Sequence, residues 1–168
     1  MQIEREWAMP NKWTFTIPPI KKLIIEEVNE GIWIDPYCGQ NSPAIILNDL
    51  DCDNSLASTH MDALEFLKKQ QSNYYDGILL DPPYSLRQVS EHYKKAGIKI
   101  TGWHTSAGYN SALKNEAMRI LKIGGVAICF GWNSMGLGMG RGFKIKRILL
   151  VPHGGSKNDT IVVVEQKI

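Results

Sequence analysis

Four consecutive residues, Asp81-Pro82-Pro83-Tyr84, combine a carboxylate, a backbone lacking two amide hydrogens and an aromatic ring. They follow Tyr75-Asp76-Gly77-Ile78-Leu79-Leu80, a short apolar run that reads as a buried strand. The prolines restrict the chain just past that strand and aim the Pro82 carbonyl in a fixed direction. An amine on an aromatic ring is a poor nucleophile, because its lone pair is delocalised into the ring. If Asp81 accepts one amino hydrogen and the Pro82 carbonyl the other, the nitrogen is drawn toward tetrahedral geometry. The same contacts stabilise the positive charge that grows on it as it attacks an electrophilic methyl group. Tyr84 then stacks on the ring, a contact worth ~1–3 kcal/mol. These four residues also suit a tight loop that only ends a strand. Their place at the C-terminal mouth of a strand, where open α/β sheets bind ligands, favours chemistry.

The elements that must position this loop follow from periodicity. Pro18-Pro19 introduces a helical apolar face over residues 20–28, with Gly31 as a stop. Residues 32–34 read as a core strand ending at Asp35, and 44–48 as a second ending near Asp49. Asp62-Ala63-Leu64-Glu65 matches a capping box that opens a helix to about residue 71. After the 75–80 strand comes a long polar connection, 85–110, then an amphipathic helix over 111–121 and a core strand over 126–130. Residues 145–151 and 160–165 read as a closing strand pair joined across 152–159. The alternation of strands and helices indicates an α/β sandwich with a mostly parallel sheet, and residues 1–168 read as a single domain.

Composition is that of a folded soluble chain, with 43% hydrophobic and 21% charged residues, and no apolar run long enough to cross a membrane. The three cysteines, Cys38, Cys52 and Cys129, are odd in number and form no CxxC pair. A reducing, cytoplasmic setting and no structural zinc are expected. His60, His92, His104 and His153 lack metal-ligand spacing, so no metal is expected. The net charge of +2 does not identify a nucleic-acid binder. Two basic clusters, Lys94/Lys95/Lys99 and Arg141/Lys144/Lys146/Arg147, suit either phosphates or solvated faces. The glycines at 136, 138, 140 and 142 lack the P-loop sequence and suggest a flexible substrate-side loop. Its basic end, Arg141 and Lys144, is expected to meet a nucleic-acid backbone.

The segment Asp81 to Tyr84 looks like the catalytic motif of amino-group methyltransferases that use S-adenosyl-L-methionine, particularly adenine-N6 DNA methyltransferases. Asp35-Pro36-Tyr37-Cys38-Gly39 resembles their first, cofactor-binding motif, and the order of the two is similar to the gamma arrangement. Ser85 to Glu91, Phe130-Gly131-Trp132-Asn133-Ser134, and His153-Gly154-Gly155 with Asn158-Asp159-Thr160 look like small phage or prophage versions. The resemblance covers most of the chain from Trp13 onward. It implies a class I methyltransferase: a three-layer Rossmann-like sheet, mostly parallel with an antiparallel C-terminal edge. By that resemblance Asp81, Pro82 and Tyr84 are catalytic. Asp35, or backbone near it, contacts the ammonium of the donor, alongside Tyr37 and Gly39. Asp49 suits the ribose hydroxyls, while Asp62 and Ala63 match positions at the donor's adenine, although Asp62 equally fits a plain N-cap. Pro83, Arg87, Gln88, Asn133, Arg141 and Lys144 are expected on the substrate side.

Two departures from the family pattern stand out. Gln40-Asn41-Ser42-Pro43 leaves little room for the usual helix after the first motif, with Asn41 able to turn left-handed better than most non-glycine residues where the family carries a second glycine. Residues 50–61 also read as loop, so the helix set near the cofactor is reduced. No separate target-recognition domain is expected; the 85–110 and 132–144 loops, or two copies on a duplex, would read sequence. Transfer to adenine N6 in DNA is the leading expectation. Cytosine-N4 or RNA amino methylation, and a non-catalytic nucleic-acid-binding protein of the same fold, are the alternatives.

Overall fold

Side-chain alternation along the central strands decides the layers in the computed structural model, which describes residues 1–28, 30–155 and 157–168. Ser156, within the 152–159 connection, lies outside the described residues. Strands β1 (Gln2–Arg5), β2 (Trp33–Asp35), β3 (Ile46–Leu47), β4 (Tyr75–Leu80), β5 (Leu121–Gly131), β6 (Phe143–Val151) and β7 (Thr160–Lys167) form one sheet in the order β1-β6-β7-β5-β4-β2-β3. Trp33, Leu79, Val126 and Ile128 point to one face, where helix α1 (Pro18–Glu27) buries Ile20, Leu23 and Ile24. Ile34, Ile78, Leu80 and Ala127 point to the other. There α2 (Ala63–Lys68) and α4 (Ala107–Ile120) bring Leu64, Leu67, Leu113, Ala117 and Ile120. The result is a three-layer α/β sandwich.

Strands β3, β2, β4 and β5 run parallel, while β7 lies antiparallel between β5 and β6. The antiparallel C-terminal pair forms as expected, and the polar N-terminal lead adds a strand to it. β1 pairs parallel with β6 because Arg147 gathers three carboxylates around one guanidinium: Glu4 at 2.7 Å, Glu26 at 2.6 Å and Glu27 at 3.5 Å. Arg147 is therefore an internal tie between β1, β6 and α1, not part of a phosphate-binding cluster.

Other boundaries shift for local reasons. The 44–48 strand shortens to two residues, and the helix from Ala63 stops at Lys68. The 85–110 connection is half helical. α3 (Leu86–Lys95) starts at a full capping box of Ser85 and Gln88, and Ser106 caps α4 by accepting from the Tyr109 amide at 3.0 Å.

Packing requires a glycine at position 77. Gly77 stands opposite Trp33 in the β2–β4 ladder, and a Cβ there would fall within the indole ring of Trp33, which is 1% exposed. Gly77→Ala is expected to overpack this face and cost about 1–3 kcal/mol. Thermal unfolding should show a Tm lowered by several degrees; an unchanged Tm would mean that the indole has room to move.

Candidate functional site

The parallel strands β2, β3, β4 and β5 all end on one edge, and two cavities open there. The first, about 240 Å³, is lined by Trp13, Thr14, the 36–41 loop, Asp49, Leu50, Met61, Ala63, Tyr93 and the segment Asp81–Tyr84. The second, about 300 Å³, is lined by Leu80, Asn110, Leu113, Lys114, Cys129, Trp132, Asn133, Met135 and Gly136, again with Pro82, Pro83 and Tyr84. The Pro-Pro-Tyr segment is thus a wall common to both.

The first cavity is shaped by polar staples. Asp35 is completely buried behind the loop that follows β2, accepting from the Tyr37 amide at 2.9 Å and the Ser42 hydroxyl at 2.6 Å. Desolvation pushes its pKa up to about 7, partly offset by those two donors. Gly39 supplies the left-handed turn, at φ +51°, and the expected turn at Asn41 is absent. The Gly39 amide donates to Asp49 Oδ2 at 3.0 Å, while Asn54 Nδ2 reaches Asp49 Oδ2 at 2.9 Å and the Gly39 carbonyl at 2.5 Å. Asn48, also fully buried, donates to the carbonyls of Pro36 (3.0 Å) and Met61 (2.9 Å). Its Oδ1 accepts from Thr59 Oγ1 at 2.9 Å and the Met61 amide at 3.0 Å. Asp62 caps α2 with Oδ1, and its Oδ2 accepts from the hydroxyls of Tyr93 and Tyr109, the latter at 2.8 Å.

The sequence-derived donor-side residues therefore separate. Tyr37, Gly39, Asp49 and Ala63 line the first cavity. Asp35 does not, because burial has turned it inward to hold the loop backbone. Asp62 likewise lies behind the lining, with both oxygens engaged by the fold. Cys38 is buried and its thiol is pushed up to about 12, mainly by desolvation, which leaves it unreactive.

At the junction of the cavities the Tyr84 hydroxyl donates to Asp81 Oδ1, and desolvation raises the pKa of the Asp81 carboxyl. The Tyr84 ring stands 5.7 Å from that of Trp132, inclined at 56°. Gln88, expected at the substrate, lines the first cavity. Its Oε1 is spent on the amides of Tyr84 (2.8 Å) and Ser85 (3.1 Å), so it positions the motif. Arg87 reaches neither cavity; it is exposed and pairs with Glu91 at 2.7 Å. Asn133 lies at the second cavity, with Oδ1 accepting from the Met135 amide at 3.0 Å.

The glycine-rich stretch is anchored. The fully buried Glu165 of β7 accepts from the amides of Leu137 (2.5 Å) and Gly138 (3.1 Å), and Lys114 Nζ donates to the Gly136 carbonyl at 2.5 Å. Arg141 is consumed by Asn115 Oδ1 (2.7 Å), Ser111 Oγ (2.9 Å) and the Leu137 carbonyl (3.2 Å). Lys144 is exposed on β6 and lines neither cavity. The basic end of this loop is thus divided between an internal brace and solvent. Thr14, Asn54 and Lys114, which sequence reasoning passed over, carry no motif of their own; Trp132 lay in the quoted 130–134 segment, where Asn133 alone was assigned to the substrate side.

No family model matches the chain, and no curated protein matches it. Among solved structures it is similar to TrmN from Thermus thermophilus, with a TM-score of 0.59 and 17% identity over 90% of this chain and 49% of TrmN. It thus spans about half the length of TrmN. It is also similar to a putative methyltransferase, yhhF, from Escherichia coli, with a TM-score of 0.56 and 12% identity over 96% of this chain and 91% of that one. NSun6 from Pyrococcus horikoshii gives 0.54 and 18%, over 86% of this chain and 50% of that one. These likenesses are of fold: a seven-stranded mixed sheet flanked by helices, of the class I Rossmann-like methyltransferase type.

The buried Asp35 makes stability depend on pH. An aspartate held near pH 7 when folded keeps a proton that the unfolded chain releases near its ordinary value of 3.8. Stability should therefore fall as pH rises from about 4 to 7, by up to about 4 kcal/mol, and level off above. Asp35→Asn should flatten this slope in urea titrations at several pH values. An equally steep slope in the variant would assign the dependence to other groups.

Proposed function

We propose that this chain transfers a methyl group from S-adenosyl-L-methionine to the exocyclic amino group of a nucleic-acid base. The observation that carries the reading is the Pro82–Tyr84 wall shared by two cavities, with the Asp81 carboxylate lining the first and bonded to the Tyr84 hydroxyl. Reactants held on either side of Pro82–Tyr84 would be brought to adjacent positions in fixed orientation, and orientation of this kind is a large part of catalysis. The donor fits the first cavity. Where a Cβ would stand on Gly39 the nearest neighbour is the Trp13 ring at 3.9 Å, so the bare backbone is open to a ligand. Asp49 lines the cavity with three hydrogen bonds accepted and capacity for about one more, which suits a ribose hydroxyl. Leu50, Met61 and Ala63 offer an apolar bed for a purine ring. When bound, the donor supplies the methyl as a sulfonium electrophile.

On the second side, Tyr84 and Trp132 give the target base two aromatic walls. The carboxylate of Asp81 and the carbonyl of Pro82 accept the two amino hydrogens. As the nitrogen acquires the methyl group and positive charge, its acidified proton is released toward Asp81 or water. A base in a duplex must leave the stack to reach this depth. The motif supports adenine N6 as the acceptor. The likeness to TrmN and NSun6 weighs toward RNA over DNA as the polymer.

The deciding measurement is transfer of labelled methyl to duplex DNA, single-stranded DNA and RNA side by side, followed by nucleoside mass analysis. N6-methyladenosine in RNA is the expected product; no transfer to any of the three would overturn the reading. Asp81→Ala should cut transfer by about 10²–10³-fold while donor binding persists. Asp81 must be ionised to accept from the amine, and burial raises its pKa. The rate should accordingly fall as pH drops, with an acid limb above the ordinary aspartate value of about 3.9. An acid limb at or below that value would remove Asp81 from the role.

A further inference from the structure

Among the described residues, Lys114 is the one cation lining the second cavity. It lies one helical turn after Asn110 on the cavity face of α4, and is half-buried. Its ammonium donates to a single protein acceptor, the Gly136 carbonyl, and among the described residues no carboxylate comes within ion-pair distance. The carboxylate of Glu165 accepts from two backbone amides and forms no ion pair with Lys114. An ammonium carries three donors, so two remain for whatever fills the cavity.

Resting on the function proposed above, we infer that Lys114 reads a ring acceptor next to the reacting amine. The second cavity is thereby selective for bases that present such an acceptor. Lys114 has no acceptor of its own, so it rewards a lone pair and is repelled by an N–H. The adenine amine is flanked by acceptors N1 and N7, and the cytosine amine by N3. The guanine amine has N1–H on one side. Adenine and cytosine are therefore admitted, and guanine in that orientation is refused. Depth in the cavity distinguishes a base from a phosphate. Lys114 shares its cavity with Leu80, Leu113 and Cys129, which are largely buried, whereas Trp132 and Met135, at 44% and 68% exposure, form the rim where a backbone would run.

The test uses oligonucleotides of the polymer that accepts methyl, with the target adenine replaced by 1-deazaadenine or 7-deazaadenine, both of which keep the amine. The intact protein should lose roughly 10–100-fold in kcat/KM on one of the two, the range for a hydrogen bond to a charged donor. Lys114→Met should lose as much on the unmodified target and show no further loss on that analogue, and Lys114→Arg should restore the discrimination. Wild-type indifference to both analogues overturns the inference without any variant having to fold. So does a Lys114→Met protein that still discriminates, which would reduce Lys114 to a tether for Gly136. A Lys114→Met protein whose only change is a salt dependence shallower by about one phosphate contact also overturns it. Where cytosine proves to be the target, 3-deazacytosine takes the place of the adenine analogues. No transfer to unmodified nucleic acid overturns the proposed function as well; transfer that ignores the missing ring nitrogen overturns this inference alone.

Discussion

Two proline rings at the end of β4 separate the cavities, and their lack of amide hydrogens governs how that partition is held. Neither Pro82 nor Pro83 can donate to a neighbouring strand, so the β4 ladder must stop at Leu80. The segment is fixed from its far end. Gln88, in the first turn of α3, takes the amides of Tyr84 and Ser85, and the Tyr84 hydroxyl turns back to Asp81. The carboxylate, the carbonyl and the ring are thereby aimed before any ligand arrives. Reorganisation during reaction, which otherwise weakens electrostatic stabilisation, is reduced to the release of one hydroxyl.

Around the first cavity, side-chain amides do what a helix does in larger sheets. The chain between β2 and β3 forms no helix, so its backbone groups need other partners. Asn48 uses both of its donors and both lone pairs of its oxygen, joining the loops after β2 and before α2. Asn54 ties Gly39 to Asp49. A satisfied hydrogen bond contributes only about 1 kcal/mol net, whereas an orphaned buried group costs about 1–3 kcal/mol. Their main effect is therefore to exclude alternative loop conformations.

The parts legible in the sequence were those whose signals are local or continuous. β4 is buried on both faces over its last four residues and ends in the apolar run Ile78-Leu79-Leu80. The Asp62 cap is a contact between residues two and three apart. β1 was hidden because its four residues are mostly exposed, and the arginine that ties it down lies 143 residues away. α3 was hidden because Tyr93 is its one buried residue, so no apolar stripe marks it; the Ser85-x-x-Gln88 cap was the signal available. Asp35 shows a different limit. Its residue type and motif suit a ligand contact, but direction in a strand alternates, and the inward direction is set by packing that no short segment reveals. The same holds for Arg141, whose guanidinium is drawn into an internal brace.

The antiparallel strand β7 connects the distant end of the chain to the target side. Inserted between β5 and β6, it brings Glu165 beneath the loop that leaves β5. That loop is rich in glycine and, left to itself, has many accessible conformations. A buried carboxylate accepting two consecutive amides selects one of them, and Gly136 is pressed so closely against Glu165 that any side chain there would collide with it. Lys114 holds the same turn from α4 through its carbonyl. The loop is gripped from both sides by groups of opposite charge that do not pair with each other. Their separation leaves the lysine's charge without a carboxylate partner at the lining of the second cavity, whereas a direct ion pair would have neutralised it.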